Sequence, residues 1–275
     1  MLLKLTEQEK TTGVLEQEKI EIAVEQIRKN GYIGFEKVLS DEQVQELKDA
    51  FLPLFNEYIE RNGYNTGTNR AQMFLPFLQP FTNDYMVANK IAMPILKEIL
   101  GEGVRCTYFA SDTACPGSDY QNVHSDLPPL FPNLGVALPA YSLVLNIPLV
   151  DVNEDNGPLE VWPGGTHLDP ENTKHTSIDG EMLRAAQGMY SEKVFMPAGS
   201  IVIRDIRMWH RGTPNRTQAN RTNIALAYHT DWYGAGGSIH IPQEEYDRAS
   251  KEVQHLFRTE KIGAPAKMPW ECHLN

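Results

Sequence analysis

Over the first hundred positions, apolar residues recur with helical spacing. In residues 17–30 (QEKIEIAVEQIRKN), Ile20, Val24 and Ile27 fall on one face, and Gly31 is a fitting stop. YIGFEKV, residues 32–38, reads as a strand. Ser40 opens SDEQ, the arrangement of a capping box, and Val44, Leu47, Phe51, Leu54 and Phe55 carry a helical face to about Asn62-Gly63. Residues 64–82 lack periodicity and read as irregular. A third helix is expected from about Asp84 to Leu100, ended by Gly101.

From Val104 onward the period changes. VRCTYFAS, YQNVHSD, AYSLVLNIPLV, PLEVWP, KVFMP, SIVIRD, RMWHRG and RTNIALAYHTDWY are rich in β-branched and aromatic residues, with Pro, Gly, Asn and Asp between them. Eight such segments at short spacing predict a sandwich or jelly roll. The tail after 240 is Pro-rich, with one short helix near 243–257. These patterns give one domain over 1–275: helical support over 1–103, a β core over 104–232 and a tail over 233–275.

Composition narrows the function. Among 275 residues, 25 Lys and Arg stand against 36 Asp and Glu, a net charge of −11. That argues against nucleic-acid binding, which needs cations to neutralise phosphate, and against an anionic membrane surface. Cys106, Cys115 and Cys272 are odd in number and have no metal-like spacing, so a reducing, cytoplasmic compartment is expected. The opening MLLKLTEQEK turns charged too soon for a secretory segment. YSLVLNIPLV, the longest apolar candidate, is too short to span a membrane and reads as a buried strand. A small-molecule substrate is the expected partner; the oligomeric state is not legible.

Three of the eight histidines open a His-x-Asp triplet: His124-Ser125-Asp126, His167-Leu168-Asp169 and His229-Thr230-Asp231. On a strand, residues i and i+2 share a face, so such a triplet offers an imidazole nitrogen beside a carboxylate oxygen. A third ligand must come from elsewhere, and two histidines with one carboxylate leave open the positions that non-haem Fe(II) needs for a chelating cosubstrate and oxygen. The first triplet has such a partner in His210, 86 residues on. The second follows the turn WPGGT and reads as a surface turn; the third has only a short tail behind it. Arg221, 11 positions past His210, starts the next strand, where a hairpin return would bring it alongside. There Arg221, Asn223, Ala225 and Ala227 form one face, like a cavity lining, and Ile224, Leu226 and Tyr228 the other, like core. A guanidinium so placed can hold a carboxylate.

HSD, NGPLEVWPGGTH, GSIVIRDIRMWHRGTPN and Arg221, in that order, resemble the phytanoyl-CoA dioxygenase family of Fe(II)/2-oxoglutarate-dependent oxygenases over about residues 20–232. Within it, EVWPGGTH, VIRDIRMWHRG and YHTDW are similar to bacterial natural-product tailoring enzymes of the kanamycin B dioxygenase kind. The resemblance implies a mainly β fold with flanking helices, a double-stranded β-helix (jelly roll, cupin-like). It implies His124, Asp126 and His210 as the catalytic iron ligands, and Arg221 as the anchor of 2-oxoglutarate. It also implies Asn122, where the family often has Gln, and Asn146, where a larger residue is frequent, as further cosubstrate contacts. Leu159 replaces a frequent Thr and removes a hydroxyl. Halogenating members lack the carboxylate, so Asp126 favours hydroxylation or a related oxidation, with O2 as second cosubstrate and release of succinate and CO2.

Substrate contacts are expected from segments 64–81 and 127–141: Asn69, Arg70, Gln72 and Asp112 as polar contacts, and Trp209 as a residue that packs and shapes the pocket. Asp205 is read as a structural partner of backbone or Arg207. Without a basic patch for a CoA tail, an amine-bearing or neutral molecule is the expected substrate. Two other classes compete: a cupin-like metalloenzyme without 2-oxoglutarate, which has no need of Arg221, and a non-catalytic binding module, which has no need of an intact triad.

Overall fold

The computed structural model describes residues 1–128, 130–131, 134–169, 181–234 and 236–272. Pro129, Pro132 and Asn133, in the expected substrate-facing segment 127–141, lie outside the described residues. The strands are β1 (Leu2–Lys4), β2 (Tyr32–Glu36), β3 (Arg70–Phe74), β4 (Arg105–Ala114), β5 (Ser142–Pro148), β6 (Leu159–Val161), β7 (Glu192–Val194), β8 (Ile201–Asp205), β9 (His210–Gly212), β10 (Arg221–His229), β11 (His240–Ile241) and β12 (Lys261–Ile262). The helices are α1 (Glu7–Thr12), α2 (Gln17–Asn30), α3 (Asp41–Asn62), α4 (Asp84–Val87), α5 (Ala92–Leu100), α6 (Glu181–Ala186), α7 (Gln243–Arg248) and α8 (Lys251–Leu256).

Seven strands form the major sheet in the order β1-β2-β8-β5-β10-β4-β3, and β7-β6-β9 form a smaller one. An isolated antiparallel bridge between His124 and His210 extends the smaller sheet by one residue. The two sheets make the double-stranded β-helix. Alternation along each major-sheet strand divides its side chains. Leu143, Leu145 and Ile147 of β5, Ile201 and Ile203 of β8, and Ile224, Leu226 and Tyr228 of β10 face outward into the main core. There Val24 and Ile27 of α2, Leu47 and Phe51 of α3 and Ile95 and Leu96 of α5 cover them. The opposite faces of the same strands look into the barrel.

Local signals set the helix ends. Gly31 closes α2 with φ 86°, in the left-handed region that glycine enters without a side-chain clash. Ser40 accepts from the Gln43 amide while the Gln43 side chain accepts from the Ser40 N–H, which completes the expected capping box on α3. Four expectations need correction. The helix expected over 84–100 is two, because the Asn89 side chain accepts from the N–H groups of Ile91 and Ala92 and starts α5 afresh. The helix near 243–257 is also two, with Ser250 capping α8 through the Val253 amide. The irregular stretch 64–82 contains β3, an edge strand that among the described residues pairs only with β4. YQNVHSD is no strand: apart from the bridge at His124 it has no regular structure and bends at Asp126. The three cysteines are free, and among the described residues no helix is long and apolar enough to cross a membrane.

Candidate active site

The inner face of β10 is the floor of a cavity of about 460 Å³, lined by Arg221, Asn223, Ala225, Ala227 and His229 in order. At about 3.4 Å per residue, this row spans roughly 27 Å. Strand pairing fixes what stands beside it. Ala227 lies opposite Val144 and Tyr108, Val144 lies opposite Arg204, and Asn223 lies opposite Asp112. Gln72 on β3 lies opposite Asp112 in turn.

His124, Asp126 and His210 enter from the other wall. The bridge between the two histidines brings residues 86 positions apart (210 − 124) into register, with ring centroids 4.2 Å apart. Asp126 Oδ1 lies 3.7 Å from Nε2 of His124 and 3.5 Å from Nε2 of His210. Each imidazole commits its other nitrogen to backbone two residues before it. His124 Nδ1 donates to the Asn122 carbonyl at 2.7 Å, and His210 Nδ1 to the Met208 carbonyl at 2.9 Å. These bonds fix the tautomers, so both Nε2 lone pairs face Asp126 Oδ1. The three ligand atoms lie within 4.8 Å of one another, close enough to share one ion. Burial, with the His210 imidazole next to it, lowers His124 to about 4, so it stays neutral and basic toward a metal at ordinary pH. Burial alone would raise the Asp126 carboxyl; the Arg204 guanidinium and the histidines hold it well below the carboxylate range. Two imidazoles and one carboxylate on one side of a cavity suit Fe(II).

Arg221 is buried, and its Nε has no hydrogen-bond partner among the described residues. Its nearest carboxylate, Asp112 Oδ2, is 3.7 Å from Nη1, an ion pair too long for a good hydrogen bond. A buried guanidinium with spare donors at one end of a cavity fits a dicarboxylate's far end.

Not every expected contact is here. Asn146, Gln72 and Asp112 line the cavity with Arg221 and the triad. Asn122 is exposed and outside the lining, and its carbonyl accepts from His124 Nδ1; Gln121 lines the wall next to it. Gln121 accepts from the Gly212 N–H at 2.8 Å, an approach that a Cβ at 212 would block. Asn69 has a left-handed φ of 49° and donates to the Pro116 carbonyl, a turn role. Arg70 is buried and outside the cavity lining; its guanidinium donates to the Asp119 and Thr213 carbonyls and ties two loops together. Trp209 packs with Val123 and Trp162, because alternation that turns His210 inward turns its neighbour out. Asp205 pairs with Arg207, as expected. Among the cavity residues that the sequence reading did not assign to the site are Gln121, Arg204, bonded to Asp126, and His229, head of the third triplet, which lines the far end.

The sequence profile of the family described as Phytanoyl-CoA dioxygenase (PhyH) matches residues 27–223, a span that contains the triad and Arg221. The chain belongs to the phytanoyl-CoA dioxygenase family. A curated relative, dioxygenase af480 of Aspergillus fumigatus, is 26% identical over 215 residues, 72% of this chain. The match spans 62% of that relative's length. Two solved members of the same fold are similar at TM-score 0.59. One is EctD from S. alaskensis, solved with 2-oxoglutarate and 5-hydroxyectoine, at 17% identity over 78% of this chain and 76% of that one. The other is the carbocyclase SnoK from nogalamycin biosynthesis, at 21% identity over 78% and 84%. At these identities the likeness establishes the double-stranded β-helix and no more.

Proposed function

We propose that this protein is an Fe(II)- and 2-oxoglutarate-dependent dioxygenase that oxidises a small, uncharged molecule, with release of succinate and CO2. The observation that carries the reading is the convergence of two Nε2 lone pairs and one carboxylate oxygen on a cavity that ends at a buried arginine. His124 Nε2, Asp126 Oδ1 and His210 Nε2 hold the iron. Arg221 holds the far carboxylate of 2-oxoglutarate, with Asn146 and Gln72 beside it. The bound iron and cosubstrate supply the activation of oxygen. The chain's own residues orient the two histidines, hold the carboxylate and keep water from the cavity.

Charge balance favours an uncharged substrate over an amine. Among the lining residues, Asp112 and Asp126 offset Arg204 and Arg221, while His124 and His229 are held neutral. A ferrous ion and a dicarboxylate cancel as well, so a charged substrate would leave a buried charge unpaired. Aliphatic residues (Ala227, Val144, Ile206 and Leu127) line the cavity as well and suit a compact apolar body. The natural-product setting rests on the segments EVWPGGTH, VIRDIRMWHRG and YHTDW, and a reducing cytoplasm on the three free cysteines.

Anaerobic titration with Fe(II), with and without 2-oxoglutarate, tests the reading. A weak visible charge-transfer band is expected only with both present, and it should vanish in Asp126→Ala and fade in Arg221→Ala. A wild-type protein without the band overturns it.

A further inference from the structure

Asp126 has two carboxylate oxygens, and the structure gives them different neighbours. Oδ1 faces both histidine Nε2 atoms, while Oδ2 lies 2.5 Å from Nη2 of Arg204. Arg204 is buried on β8, between Tyr32 of β2 and Val144 of β5, and neither offers it a charge. The Tyr32 hydroxyl is already bonded to Glu192. Arg204 Nε and Nη1 are buried without a partner, so Asp126 is the one acceptor its guanidinium has among the described residues.

We infer that Arg204 is a positioning residue that makes Asp126 a one-oxygen metal ligand and so keeps a coordination position free for 2-oxoglutarate. This rests on the proposed iron site. To grip an ion with both oxygens, the carboxylate would have to turn Oδ2 away from Arg204. That would leave a buried cation with no partner at all, which is strongly disfavoured. Held as it is, Asp126 gives one oxygen, the histidines give one nitrogen each, and three of six positions stay open. A cosubstrate that binds through two atoms, together with oxygen, needs all three. Without Arg204 the second oxygen is released to compete for one of them.

The test uses full-length Arg204→Met and Arg204→Lys, stripped of metal and titrated anaerobically with Fe(II) and then 2-oxoglutarate. Arg204→Met is expected to bind Fe(II) but to need at least about fivefold more 2-oxoglutarate for half-saturation of the charge-transfer band, with the band shifted. Arg204→Lys, which keeps a donor and the charge, should stay within about twofold of wild type. Arg204→Gln is carried in parallel, so that a folding failure of the methionine variant does not decide the question. If an uncharged variant that folds titrates like wild type in midpoint and band position, the inference is overturned. If the lysine variant is as impaired as the uncharged one, it is overturned too. Absence of the band in wild type would instead refute the proposed iron site itself.

Discussion

Arg221 and Asp112 face each other from adjacent strands at 3.7 Å, near enough to attract and too far to bond well. The guanidinium is thereby steadied without being used up. Replacing Arg221 by Met should raise the 2-oxoglutarate concentration for half-saturation roughly 10- to 100-fold, the worth of one or two charge-assisted bonds. Asp112→Asn should act the other way, because it removes a competing anion, and tighten 2-oxoglutarate a few-fold. Isothermal titration with metal-loaded protein reads both. Weaker binding in Asp112→Asn would show that the aspartate orients the arginine more than it competes for it.

The Asp126–Arg204 contact predicts an effect on the metal-free protein. Asp126→Ala removes a ligand but also strands Arg204, so it should lower metal-free stability by roughly 2–3 kcal/mol. The double variant Asp126→Ala/Arg204→Met should recover most of that loss, since neither charge is left alone. Urea unfolding of the four proteins of this cycle is the measurement; equal stability of Asp126→Ala and wild type contradicts the prediction.

Much of this was legible in the sequence where chemistry and periodicity agreed. The two faces of β10 were readable because Ile224, Leu226 and Tyr228 alternate with small and polar residues. His124, Asp126, His210 and Arg221 were readable from spacing together with resemblance. The same alternation carries Arg204 inward between Ile203 and Asp205, yet an arginine within SIVIRD gives no hint that a carboxylate 78 residues away (204 − 126) awaits it. Asn69 and Arg70 looked like substrate contacts because they are polar and sit in an irregular stretch. Backbone carbonyls at Pro116, Asp119 and Thr213 claim them instead, partners that no local pattern announces. The break in the helix over 84–100 is similar: Asn89 is a weak helix residue, but only its side-chain bonds to Ile91 and Ala92 turn a weakness into an end.

Those two faces of β10 yield opposite predictions for adjacent residues. Leu226 is fully buried in the main core, so Leu226→Ala should cost about 2–5 kcal/mol. Ala225 looks into the cavity, so Ala225→Leu should fold within about 1 kcal/mol of wild type while filling space that ligands need. Thermal melting and 2-oxoglutarate titration on the two variants separate the roles; a strongly destabilised Ala225→Leu would place that side chain in packed core.

At the far end of the same strand, His229 predicts a pH dependence. Its ring is buried, its Nδ1 has no hydrogen-bond partner among the described residues, and Tyr233 packs edge-on against it. Burial, with Arg105 nearby, lowers the imidazole to about 4. The unfolded chain therefore takes up this proton near pH 6.5, before the folded protein does, so protonation favours unfolding. The stability lost through His229 should be nil above about pH 7 and grow as pH falls from about 6.5 to about 4, reaching on the order of 2–3 kcal/mol. His229→Phe removes the titrating group while keeping a ring against Tyr233. The difference in unfolding free energy between wild type and His229→Phe, measured in urea at pH 7.5 and pH 5, should shift in favour of the variant at the lower pH. An unchanged difference would mean that His229 finds a proton acceptor in the folded cavity and is no neutral wall residue.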